Sequence, residues 1–90
     1  MEIARLLYPF LDGQLSVKDE YHCRLQALAE RFALRSYQYK SQRRQQFEPA
    51  IAVLHGKPIL AERYVLDITM PVALDGKDYV LVARRHQFTG

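Results

Sequence analysis

A single cysteine and no run of about 20 apolar residues remove several classes of protein from this 90-residue sequence. One thiol, Cys23, cannot close an internal disulfide and is too few for the usual structural zinc sets. Without a long apolar run no membrane span is expected. The opening residues, with Glu2 and no long apolar core behind it, do not read as a signal peptide, so a cytoplasmic protein is expected. Acidic residues are also missing locally. None lies between Glu30 and Glu48, where Arg31, Arg35, Lys40, Arg43 and Arg44 all fall. The net charge of +3 is therefore unevenly spread, and such a stretch attracts phosphate or an acidic partner unless it is simply a solvated helix face.

What is present is ordinary for a folded domain. Hydrophobic residues at 49% and charged residues at 26% exclude wholesale disorder. The length fits one domain, and a core this small would be helped by dimerisation.

Helical spacing dominates the first half. Ile3, Leu6, Leu7 and Phe10 form a short stripe that Pro9 should kink or end, before a turn at Asp12-Gly13. Ser16 can cap a second helix, along which Tyr21, Leu25, Leu28 and Phe32 share a face. That stripe fails after Phe32. A break near Ala33-Leu34-Arg35 follows, with Ser36 capping a third helix to about Phe47. Tyr37 and Tyr39 alternate with polar neighbours, so a strand over 36–41 is the competing reading.

From Pro49 the texture turns to strand. Ala50 to Leu54 reads as one, and Leu60, Tyr64, Leu66, Ile68 and Met70 alternate along another. Val72 to Leu74 and Tyr79 to Ala83 form a hairpin about Asp75-Gly76. The expected fold is therefore α+β: N-terminal helices packed on a C-terminal antiparallel sheet of three to four strands with a terminal β-hairpin. The single domain spans 1–90, helical over 1–48, β-rich over 49–85 and frayed over 86–90.

No catalytic constellation assembles. His22 and Cys23 are adjacent on an expected helix and diverge by about 100°. His55 and His86 lack partners at metal-ligand spacing, and His55-Gly56-Lys57 has too few glycines for a phosphate loop. Catalytic, cofactor and metal sites are all expected to be absent.

The segment Leu28-Ala29-Glu30-Arg31-Phe32-Ala33-Leu34-Arg35-Ser36 resembles the core of the bacterial helix-turn-helix motif, and the later hairpin extends the resemblance to the winged form. A small residue at Ala29 lets the next helix cross closely, while Leu28, Phe32 and Leu34 pack beneath the turn. The motif departs at Ala33, where the family uses glycine in a left-handed conformation, and at Gln42, where it buries an aliphatic side chain. Tyr39 is expected to pack inward from the third helix. The resemblance implies a small DNA-binding regulator or accessory factor whose third helix enters the major groove of duplex DNA. Its contacts would come from Arg35, Tyr37, Gln38, Lys40, Ser41, Arg43, Arg44 and Lys77, with Arg84 and Arg85 adding phosphate contacts. The alternative is a non-catalytic protein-binding adaptor, inhibitor or assembly factor acting through a helix face or a sheet edge. A sharp turn over residues 33–36 favours DNA, and a straight helix favours the protein partner.

Overall fold

The structure is a computed structural model that describes residues 2–35 and 37–87. The order of elements is α1 (Glu2–Leu15), β1 (Glu20–Arg24), α2 (Leu25–Arg31), α3 (Lys40–Leu54), β2 (Pro58–Ile59), β3 (Tyr64–Thr69) and β4 (Val80–Gln87). The strands form one antiparallel sheet in the order β1-β4-β3-β2, with the three helices on one of its faces. The fold is thus the expected α+β domain with helices against a sheet. No helix among the described residues is long and apolar enough to cross a membrane.

Core residues come from every layer. Leu7, Leu11 and Leu15 of α1 meet Leu25 and Leu28 of α2, Phe47 and Leu54 of α3, and Leu66, Ile68, Leu81 and Ala83 of the sheet. The register expected over the later part of that strand is present in β3, since Leu66 and Ile68 are both buried, whereas Leu60, expected on the same strand, lies in the turn before it. Leu60, Tyr64 and Phe32 are partly buried at the edge of the same cluster.

Four local expectations are corrected, and each correction has a long-range cause. Residues 20–24 are a strand rather than the start of a helix. Tyr21 and Cys23 face the core while Glu20, His22 and Arg24 face out, and Glu20 to Arg24 pair with Arg84 to Val80. A Tyr21-to-Leu25 spacing suits either structure, so a partner sixty residues away decides. Helix α1 runs through Pro9 and Gly13 to Leu15, because ending it earlier would forfeit the burial of Leu11 and Leu15. Ser16 closes its end, donating to the Gly13 carbonyl at 2.6 Å, and starts no helix. Helix α3 likewise runs through Pro49, so Ala50 to Leu54 is not a strand; Phe47, Ala50 and Leu54 continue its buried stripe. Finally, the hairpin is longer than expected. β3 and β4 are its arms, and the pairing near its tip is reduced to one bridge, Val72 with Tyr79.

Between β2 and β3 the chain passes through three consecutive left-handed residues, Leu60, Ala61 and Glu62. Each costs about 1–2 kcal/mol relative to the right-handed form. Asp12 of α1 offsets part of this by accepting the Leu60 amide at 3.1 Å.

Candidate nucleic-acid interface

Helix α2 ends in a sharp reversal. Phe32 closes the helix and Ala33 adopts φ 54°, the left-handed conformation that glycine usually supplies at this place. The Leu34 amide bonds the Ala29 carbonyl at 2.8 Å, and the Ala33 amide bonds that of Glu30 at 3.2 Å. Together these form a Schellman closure, which satisfies carbonyls that the helix end would otherwise leave free. Phe32 anchors the turn, its ring edge-on to Phe10 of α1 at 5.4 Å. Residues 37–39 are neither helix nor strand, and α3 begins at Lys40. Ser36, expected to cap the third helix, lies outside the described residues. Tyr39 holds the N-cap position without a side-chain bond, and it is 63% exposed instead of packing inward.

One buried ion pair organises the start of α3. Arg43 is 6% exposed and Asp78 is 2% exposed, and the Arg43 Nε donates to Asp78 Oδ1 at 3.0 Å. The rest of the guanidinium binds carbonyls: Nη1 donates to Tyr37 and Gln38, and Nη2 to Lys77. Asp78 also accepts the Gln26 amide at 3.0 Å through Oδ2. This caps the N-terminus of α2, where Arg24 provides no side-chain cap. A single Arg–Asp pair therefore joins α2, the segment before α3, α3 itself and the hairpin. In the sequence Asp78 stands two residues after the Asp75-Gly76 turn, and nothing local marks it for this role.

The hairpin tip stands against the first turn of α3. Lys40 Nζ donates to the Gly76 carbonyl at 2.8 Å, and the Lys40 and Arg44 head groups lie over the Tyr79 ring. Gly76 takes φ 71°, which a tight turn requires here. Asp75 accepts the Lys77 amide and the Arg24 guanidinium, and these hold its carboxyl below the usual range.

Of the residues expected to form the interface, most gather at this junction. Arg35 and Gln38 are exposed in the connection, with the Arg35 guanidinium 5.0 Å over the half-buried Tyr37 ring. Lys40 and Ser41 open α3, and Lys77 is exposed at the hairpin tip. Arg44 is half-buried and pairs with Glu48 at 3.0 Å. Arg43 is the exception: its guanidinium is consumed internally and cannot reach a ligand, so its expected exposure is corrected. Arg84 and Arg85, like Arg44, are paired with carboxylates, those of Glu20 and Asp19 respectively.

Two exposed side chains near Ser41, those of Gln42 and Gln45, fall outside the expected set. Gln42, expected at a buried place, is exposed, and with Ser41 and Gln45 it forms the outward face of the first turns of α3. The frame was off by one residue, because Arg43 occupies the inward position. Spacings of three and four, read from Arg43, Phe47, Ala50 and Leu54, would have found it.

Elsewhere the histidines have structural partners. The Ile68 amide donates to His55 Nδ1 at 3.1 Å, and His86 Nε2 lies 2.9 Å from Asp67. Because that His55 nitrogen accepts, its 3.5 Å approach to Asp67 contains no proton in the neutral ring. His22 and Cys23 project to opposite faces of β1. No group of three potential metal ligands occurs among the described residues. No protein-family model, curated protein or solved structure matches this chain.

Proposed function

We propose that this chain is a small DNA-binding regulator or accessory factor resembling a winged helix-turn-helix, with α3 as its reading helix and the β3–β4 hairpin as its wing. The reading rests on one arrangement. The left-handed turn at Ala33 breaks α2 from α3, so the acid-free first turns of α3 stand exposed beside the hairpin tip. A straight helix, the arrangement favouring a protein-binding adaptor, is interrupted at Ala33, and residues 33–35 are not helical.

In this reading Ser41, Gln42 and Gln45 meet base edges in the major groove, where a glutamine amide can bond adenine through two atoms. Arg35, Lys40, Arg44 and Lys77 neutralise phosphates. Arg43 makes no contact with DNA. It fixes the angle at which α3 is offered, together with Asp78. No catalytic step is assigned to the chain.

Anisotropy titration against duplex fragments from a genomic library tests the reading. Binding should weaken steeply with salt, and Lys77→Ala should reduce the log–log slope by roughly 0.9 if that residue neutralises one phosphate. Gln42→Ala or Gln45→Ala should relax sequence preference at one position while leaving the slope unchanged. Association no tighter than roughly 10⁻⁴–10⁻⁶ M at physiological salt, on every fragment, would sink the proposal.

A further inference from the structure

Leu74 is fully exposed at the tip of the hairpin, while Ala73 beside it is buried. Val72, two residues back, is about half exposed. Turn tips ordinarily carry glycine, proline or small polar residues. Mobility does not account for it, because the tip is tied on all sides. The Gly76 amide bonds the Ala73 carbonyl, the Ala73 amide bonds that of Asp78, and the Val80 amide bonds that of Pro71. Arg24 holds the Asp75 carboxylate at 2.8 Å, and Lys40 holds the Gly76 carbonyl at 2.8 Å. A leucine is thus presented outward on a rigid support, with much of the entropy of ordering its backbone already lost on folding.

The surroundings indicate what receives it. Lys40 and Lys77 flank the tip, and neither has a carboxylate within 4.0 Å among the described residues. Of the two acids at the tip, Asp75 is paired with Arg24, and Asp78 is buried against Arg43. A cationic rim around an apolar point complements a polymer with an anionic exterior and an apolar stacked interior. The bond from Lys40 to Gly76 also makes the tip and the first turn of α3 one unit. With α3 in the major groove, the nearest further part of a duplex is a phosphate row and then the minor groove.

We propose that Leu74 is an apolar wedge that enters the minor groove beside the site of α3, partly unstacks one base step and bends the duplex. The inference rests on the DNA-binding reading and adds a deformation to it. Wedges of this kind kink DNA by about 20–90° and are tolerated best at flexible pyrimidine–purine steps.

The test uses the full chain and end-labelled duplexes of about 30 base pairs, with either a TA step or a GC step at the expected wedge position. Energy transfer between the ends should rise when the protein binds the TA duplex, and less so with the GC duplex. Leu74→Ser should abolish the rise and weaken binding about tenfold, the worth of one partly buried leucine. It should leave the melting temperature unchanged, because Leu74 packs on nothing. Leu74→Phe should keep the bend. If L74S binds and bends like the parent, the wedge is overturned while DNA binding stands. If the parent binds no duplex, both fall. If L74S leaves DNA binding intact but abolishes self-association in sedimentation, or binding to anionic vesicles, Leu74 belongs to that contact and the wedge is overturned.

Discussion

The two ends of α3 are held by different physics. Toward its C-terminus, Phe47, Ala50 and Leu54 sink into a layer of leucines from α1, α2 and the sheet. At its first turn the helix is fixed by Arg43, whose guanidinium reaches one carboxylate and three carbonyls. Apolar packing is strong but nearly non-directional, so it holds the helix down without choosing its rotation closely. Hydrogen bonds from a planar guanidinium work only over a narrow range of angles. Their place is at the end whose exposed face is proposed to read DNA, where a small rotation would move Gln42 and Gln45 off register.

The largest effect expected is at the packed end. Phe47→Ala should cost about 3–5 kcal/mol, measured by denaturant unfolding, because its ring is fully buried and the cavity cannot collapse onto neighbours from three layers. A loss below about 1 kcal/mol would mean that the core is looser than described.

The directional end should lose almost as much and respond differently to a second change. Arg43→Ala or Asp78→Ala alone should cost about 3–5 kcal/mol, since each leaves an uncompensated buried charge. In the double variant the two losses should fall well short of additive, because the second change removes a charge that the first had already stranded. Additive losses would show that the pair is not the hub. Arg43→Lys should not restore the wild-type stability, since one ammonium cannot replace the planar fork.

A gain is expected at the turn that separates the two helices. Ala33→Gly should stabilise by about 0.5–1 kcal/mol. Relief of the left-handed penalty, about 1–2 kcal/mol, is partly offset by the greater freedom of glycine in the unfolded chain. A loss would mean that Ala33 is not left-handed in solution.

An effect confined to alkaline pH concerns Tyr21, on the inner face of β1. Burial, with Cys23 beside it, pushes its phenol up to about 12. The unfolded chain releases this proton near the ordinary value of about 10. Between those values the folded state binds the extra proton, so stability should fall as pH rises from about 10 to about 12. Tyrosinate absorbance and thermal melts across that range check it, and a phenol titrating near 10 would show that this edge of the core is wet.

Much of the molecule is legible in the sequence. The alternation that buries Leu66 and Ile68, the turn at Asp75-Gly76 and the break after Phe32 all follow from local patterns of polarity and backbone preference. So does the acid-free stretch that supplies most of the candidate interface. Tertiary structure decided the rest wherever a local preference met a stronger distant partner. Strand β1 exists because β4 pairs with it, and α3 passes through Pro49 because Ala50 and Leu54 have a core to enter. Arg43 turns inward because Asp78, thirty-five residues later, meets its Nε at 3.0 Å. Sequence spacing reports which side chains share a face within one element. It carries no sign of which charge will find its partner across the fold, because that depends on distances fixed only when the layers pack.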